Sequence, residues 1–242
     1  MNVSVIGLGR LGLPFSFFLA SKGHKVLCFD KNLSIRNQLN QKKNIEPDIS
    51  NYIKKFKKNV FIQNKINSLI SNTKISFIVL PTPSNKDGSF SNSYIFESLD
   101  EISLTLRFKR NSNHIIVITS TVSPGSCDLF VKYLEKKGFK NKIDFSFVYN
   151  PHFIAQGTTL KNLEKPDLIL IGTSDDKTKK IINNFYNKIY KKKSLLKNTN
   201  FQEGEISKIA INCYITTKIS FSNYISELSE SIKNVDAKII LD

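Results

Sequence analysis

"VSVIGLGRLGLP", residues 3–14, decides how the rest of the chain is read. Val3 to Gly7 is a short apolar run of the kind buried on both faces of a parallel sheet. Gly7, Gly9 and Gly12 follow in a GxGxxG, and residues from about Leu11 to Lys22 read as a helix. Pro14 falls in its first turn, where proline is tolerated, and Gly23 is a plausible stop. A second strand, "KVLCFD" (25–30), ends in Asp30. Strand, glycine turn, helix, strand and terminal acid is the order a dinucleotide fingerprint requires. Gly7 then permits the tight turn, Gly9 lets backbone approach a pyrophosphate, and Gly12 lets helix and strand pack closely. The helix start offers N–H groups and a positive dipole end to the phosphates. Asp30 accepts from the adenine ribose hydroxyls and repels a 2′-phosphate, so NAD is preferred to NADP; Lys31 and Arg36 moderate that preference.

Outward from this stretch, "ISFIVL" (75–80), "HIIVIT" (114–119), "FSFVYN" (145–150) and "DLILIG" (167–172) continue the strand series. Helices fill 93–107, 126–137 and 176–189, while the polar segment from Lys42 to Thr73 resists assignment. The alternation predicts an α/β fold, a Rossmann-like doubly wound parallel sheet. After about Phe201 the pattern becomes one long helix, which places a domain boundary near residue 200. The expected organisation is an NAD-binding domain over 1–200 and the start of a central helical domain over 201–242.

Hydrophobic residues make up 40% of the 242, enough for a sizeable core and too many for global disorder. The net charge of +16 comes from short scattered lysine runs such as Lys54-Lys55 and Lys191-Lys192-Lys193, with no nucleic-acid motif beside them. They read as a solvated face, so no nucleic-acid partner is expected, though a basic surface favours anionic small ligands. Cys28, Cys127 and Cys213 form no CxxC, metal pattern or disulfide framework, which fits a reducing compartment. No run of 18 apolar residues and no basic n-region occurs, so neither membrane span nor signal peptide is expected and the reading is cytoplasmic.

Four further stretches carry polar groups at strand ends or on the long helix. In "VLPTPSNKDGSFS", Pro81 and Pro83 stiffen a loop that presents Thr82; this is either a ligand loop or only a stiff turn. In "TSTVSPGSCDLF", Ser120 and Thr121 end a strand and Pro124-Gly125 opens a helix, whose N–H groups either meet a ligand or are capped by Ser123. His152 and Gln156 follow Asn150-Pro151 in a loop, where His152 is either a surface residue or a catalyst. In "GEISKIAINCYITTKISFSNYISEL" (204–228), Lys208 and Asn212 lie within about 40° of each other on the helix, joined by Glu205. The helix is apolar most of the way round, which marks one that is buried or bridges domains. Lys208 and Asn212 either hold an oxyanion and orient a water, or Lys208 snorkels to solvent with Asn212 beside it.

In order, "VIGLGRLGLP" (5–14), "GHKVLCFD" (23–30), "EP" (46–47), "LPTPS" (80–84), "STVSPGS" (120–126), "NPHFIAQG" (150–157), "PDLILIG" (166–172) and "EISKIAINCYITTKISFSNYISEL" (205–228) resemble the UDP-glucose/GDP-mannose dehydrogenase family. The resemblance covers nearly the whole chain. It implies oxidation of a nucleotide-sugar C6 alcohol to a carboxylate in two steps, with two NAD and a catalytic cysteine that carries a thiohemiacetal and then a thioester. It implies that Gly7, Gly9, Leu11, Gly12 and Asp30 bind NAD, and that Thr82 and Thr121 line the cofactor and nicotinamide region. Lys208 and Asn212 match the family's oxyanion-stabilising and water-orienting pair, on a helix that belongs to a central dimerisation element. The full-length protein is then a homodimer acting on a nucleotide sugar.

Two departures stand out. His152 occupies the position of a family glutamate, and Gln156 often corresponds to an acid. The Gly-rich motif with the nucleophilic cysteine, and the nucleotide-gripping domain, are expected downstream of Asp242. None of the three cysteines sits in such a motif; Cys213 lies about 140° round the helix from Lys208. The chain is accordingly read as the cofactor-binding half of the enzyme, inactive alone. The alternatives are a non-catalytic NAD-binding and dimerising remnant, and a 3-hydroxyacid-type Rossmann dehydrogenase using Lys208.

Overall fold

A computed structural model describes residues 1–35, 49–109, 112–154, 157–190 and 196–242. Arg36, Pro47, Gln156 and the Lys191-Lys192-Lys193 run lie outside the described residues. The chain divides into two units, Met1–Glu205 and Ile206–Asp242.

In the first unit eight strands form one sheet: β1 (Asn2–Ile6), β2 (Lys25–Phe29), β3 (Val60–Ile62), β4 (Ile75–Ile78), β5 (His114–Ile118), β6 (Phe145–Tyr149), β7 (Ile169–Gly172) and β8 (Leu196–Thr199). Their spatial order is β3-β2-β1-β4-β5-β6-β7-β8. Helices α1 (Gly12–Ser21), α2 (Ile49–Phe56), α3 (Ile66–Asn72), α4 (Ser93–Leu106), α5 (Ser126–Lys136), α6 (Thr159–Glu164) and α7 (Asp176–Ile189) connect them. This is the doubly wound Rossmann-like sheet that the alternation of elements predicts. The direction reverses between β1 and β4, so the C-terminal ends of β1, β2, β4 and β5 open on one crevice.

Side-chain alternation along each strand builds a core on each face. Val3, Val5, Phe77 and Val117 pack with Phe15 and Phe18 of α1, while Ile6, Ile78, Ile116 and Ile118 pack with Leu99 of α4 and Phe130 of α5. Ser4, Ser76 and His114 belong to the second face by the same alternation. Their polar groups meet there: the Ser4 and Ser76 hydroxyls are 2.6 Å apart, and the Ser76 hydroxyl is 2.8 Å from His114 Nε2. Thr73 extends the network, 3.2 Å from Ser4 Oγ.

Two features of the sheet differ from expectation. The sheet is not wholly parallel, because β7 meets β6 antiparallel through the single pair Tyr149 and Gly172. Two strands, β3 and β8, lie at the sheet edges, where half-exposed backbone admits short or polar sequences such as "LKNT". The long helix α8 (Phe201–Glu230), read from its apolar residues as either buried or bridging domains, is exposed on all sides over residues 212–221. Ile206, Tyr214, Ile215, Ile219, Phe221, Tyr224 and Leu228 are all exposed and, at about 100° per residue, are spread round more than one side of the helix. A short helix, α9 (Ala237–Leu241), completes the second unit. Among the described residues no helix is long and apolar enough to cross a membrane.

Candidate cofactor site and its neighbours

The glycine turn is shaped by two close approaches and one open space. Gly7 has φ +95°, and a side chain there would overlap the carbonyl oxygen of Val79. A side chain on Gly12 would overlap the carbonyl oxygen of Gly7. A side chain on Gly9 would meet nothing within 4 Å. Protein packing therefore explains Gly7 and Gly12 but not Gly9, whose bare backbone faces space a ligand can enter. Leu11 is the N-cap of α1 and supplies no capping side chain, and the first turn carries no acid. Its dipole end is left uncompensated by the protein, as a phosphate site requires. Asp30 closes the loop from the other side: its Oδ2 accepts from the Leu8 N–H at 2.7 Å and its Oδ1 from the Asn32 N–H at 2.8 Å. Lys31 points its charge elsewhere, to Glu97 at 3.0 Å.

The loops after β4 and β5 are zipped together. Ser120 Oγ donates to the Leu80 carbonyl at 2.6 Å and accepts from the Leu80 N–H at 3.0 Å. Thr82 Oγ1 donates to the Thr121 carbonyl at 2.6 Å, which brings these two predicted residues into contact. Thr82 spends its only hydroxyl proton there, so toward a ligand it acts as an acceptor. The cap assigned to Ser123 is corrected: Gly125 holds the N-cap position of α5, and Ser123 Oγ accepts from the Phe90 N–H at 3.0 Å.

The α5 amides are not available to a ligand either, because Glu205 already takes them. Its Oε2 accepts from the Gly125 N–H at 2.6 Å and its Oε1 from the Cys127 N–H at 2.8 Å, with the residue fully buried. The sequence marks Glu205 only as an acid in an otherwise apolar helix. This capping role also bears on Cys127. Burial first, and then the Glu205 charge, push its thiol well above the ordinary range, although it sits at a helix start. Burial likewise pushes Cys28 up to about 12. Cys213 is exposed.

His152, just past β6, lays its ring edge-on against Phe15 of α1, with centroids 4.7 Å apart. Its neighbour Asn150 is fixed instead of free: Asn150 Nδ2 donates to the Leu170 carbonyl at 2.7 Å and its Oδ1 accepts from the Tyr186 hydroxyl. On α8, Lys208 is 8% exposed. Burial lowers its ammonium pKa. Asn212, one turn on, is exposed, so the two residues share a helix face but not an environment. Among the described residues no cluster of three or more His, Cys, Asp or Glu suits a metal ion.

The profile described as "UDP-glucose/GDP-mannose dehydrogenase family, NAD binding domain" matches residues 1–190. A UDP-glucose 6-dehydrogenase of Rickettsia bellii is 31% identical over 252 aligned residues, covering 100% of this chain and 56% of the relative. A GDP-mannose 6-dehydrogenase of Pseudomonas syringae is 27% identical, again over 100% of this chain and 56% of its own length. Among solved structures, a GDP-mannose dehydrogenase ternary complex from Pseudomonas aeruginosa superposes with TM-score 0.90 at 25% identity, covering 100% of this chain and 56% of that one. A UDP-glucose dehydrogenase from Pyrobaculum islandicum gives TM-score 0.82 at 27% identity, over 94% and 52%. The chain spans about half the length of the curated relatives it matches.

Proposed function

The chain belongs to the UDP-glucose/GDP-mannose dehydrogenase family, and from that premise we propose that it is the cofactor-binding half of a nucleotide-sugar 6-dehydrogenase. The substrate is a UDP-glucose-like nucleotide sugar whose C6 alcohol becomes a carboxylate. The observation that carries this reading is the open backbone at Gly9 between the uncapped start of α1 and the held carboxylate of Asp30.

NAD is the cofactor of this domain. The first-turn amides of α1 and the bare backbone at Gly9 would hold the pyrophosphate, beside Gly7, Leu11 and Gly12. Asp30 keeps lone pairs for the adenine ribose after its two backbone contacts. Thr82 and Thr121 line the nicotinamide region. When bound, the nicotinamide supplies a hydride acceptor for carbon oxidation. Lys208 places a cation for the oxygen that gains negative charge, Asn212 orients a water, and His152 as neutral imidazole accepts a proton. None of the three cysteines is the nucleophile: Cys28 and Cys127 are buried thiols with raised pKa, and Cys213 lies on the helix face opposite Lys208. The nucleophile lies outside residues 1–242. A second reading, a non-catalytic NAD-binding and dimerising module, is favoured by His152, whose ring rests on Phe15 where the family has a carboxylate. The cysteine content fits a cytoplasmic setting.

Calorimetric titration of residues 1–242 tests the reading. NAD binds; NADP binds at least about tenfold more weakly, and Asp30→Ala costs NAD about tenfold, the loss of charge-assisted ribose bonds. With UDP-glucose and NAD the chain alone produces no NADH. Turnover by it would overturn the assignment of the nucleophile, and equal affinity for NADP would overturn the role of Asp30.

The exposed apolar residues of α8 pair with a second copy in this reading. Sedimentation then shows a concentration-dependent dimer, and Phe221→Glu shifts the dissociation constant upward by at least about 100-fold, as burying an unpaired charge at an apolar contact requires. A monomer at all concentrations would leave these residues to another domain.

A further inference from the structure

We propose that Glu97 is a specificity-determining residue of the cofactor site: it holds Lys31, the residue that follows Asp30, in an ion pair, and so withholds from a 2′-phosphate the one cation that the start of the loop after β2 could offer. This deepens the reading of Asp30 as the ribose-binding acid of an NAD site and rests on it.

The start of that loop is fixed residue by residue. Asp30 is held by the N–H groups of Leu8 and Asn32 at 2.7 and 2.8 Å. Asn32 turns back on the loop, where its Oδ1 accepts from the Ser34 N–H at 2.9 Å and from the Ser34 hydroxyl at 2.7 Å. Lys31 is then the only side chain of residues 30–34 that can carry a positive charge. A dinucleotide site that accepts a 2′-phosphate places a cation near the ribose-binding acid. Lys31 stands at the right place in the chain for that task, on a flexible stem.

Glu97 competes for it. From the second turn of α4, Glu97 Oε2 accepts from Lys31 Nζ at 3.0 Å, joining residues 66 apart in the chain. The hydrogen bond and charge of Glu97, and then the charge of Glu101 one turn further along α4, raise the Lys31 pKa. Asp30, Glu97 and Glu101 thus stand beside a single lysine. In a chain with 36 lysines and arginines against 20 acids, this is a local reversal of charge. Lys31 and Glu97 are 82% and 53% exposed in their side chains. An ion pair so exposed adds little to folding. It does keep Lys31 where an incoming phosphate could reach it, so its partner decides whether the charge is available.

Calorimetric titration of the 1–242 chain with NAD and with NADP, at about 20 mM salt, tests the proposal in wild type, Glu97→Gln, Lys31→Ala and the double variant. All the substitutions are at exposed positions and leave the fold intact. Glu97→Gln binds NADP at least about fivefold more tightly than wild type, as a change of one unit of charge within a Debye length of a dianion requires. The gain shrinks at about 0.5 M salt. NAD, which has no 2′-phosphate, keeps its affinity within about twofold. The gain from Glu97→Gln is at least about threefold larger with Lys31 present than in the Lys31→Ala background, because Glu97 acts through Lys31. Equal gains in the two backgrounds overturn the proposal, since Glu97 would then be only a distant charge. So does an equal rise for NAD and NADP. Wild type that fails to bind NAD overturns the Asp30 reading and this proposal with it. Wild type that binds NAD while Glu97→Gln leaves NADP unmoved overturns this proposal alone.

Discussion

Gly9→Ala leaves the unfolding temperature within about 1 °C of wild type, since nothing in the fold meets the new methyl. NAD affinity nevertheless drops at least about tenfold, because the methyl occupies the approach of the pyrophosphate. Gly7→Ala behaves in the opposite way. At φ +95° its side chain is strained and drives into the Val79 carbonyl. A left-handed conformation costs about 1–2 kcal/mol and forced overpacking about 1–3 kcal/mol. The sum, about 3 kcal/mol, lowers the unfolding temperature by roughly 6–12 °C in a chain of this length. Calorimetric scans and NAD titrations on both variants check this. A Gly9→Ala variant that binds NAD as wild type does would remove the ligand from the open space above that residue.

The second large effect is acid sensitivity above the carboxylate range. His114 is buried in the Ser4, Ser76 and Thr73 network. Burial first, and then the Lys109 charge, lower its pKa from 6.5 to about 3. The folded chain therefore keeps the ring neutral where the unfolded chain takes up a proton. Stability is lost as pH falls below 6.5 and continues to fall until about 3. The slope is about 1.4 kcal/mol per pH unit, so about 2 kcal/mol disappears between pH 6.5 and about pH 5. Asp87, Asp100, Asp175 and Asp176 also have lowered pKa values, but their contribution is lost only as pH falls through 3.8 and below. His24, whose pKa is lowered by burial and then by the N-terminal ammonium, adds a smaller share in the histidine window. Urea titrations at pH 7 and pH 5 measure the difference. In His114→Gln most of it vanishes; a variant that stays as acid-sensitive as wild type would place the effect elsewhere.

Gly7 and Gly12 were legible because φ +95° at the one and the close approach of a carbonyl at the other leave little choice of residue. The strands β1, β4, β5 and β6 were legible because burial on both faces makes each a largely apolar run with at most two polar residues. The edge strands were not, since Val60–Ile62 is three residues long and Leu196–Thr199 has two exposed polar residues at its centre. The reversal of β7 was hidden because an apolar run carries no direction. Glu205 was hidden as a cap because its partner amides lie 80 residues earlier in the chain, beyond any local pattern. On α8 an apolar pattern leaves burial and a bridge between domains equally open, because a second surface can account for apolar residues as well as a core can.

The place of β1 in the sheet bears on how the protein is made. β1 lies between β2 and β4, and 72 residues separate Ser4 from its partner Ser76. At bacterial or eukaryotic translation speeds that interval lasts roughly 4 to 14 s. Through those seconds the emerging chain carries a β-branched strand with one side of its backbone unpaired, a template for other nascent chains. Ribosome-associated chaperones and codon choice between residues 30 and 75 therefore bear on soluble yield through an interval that the finished fold does not record.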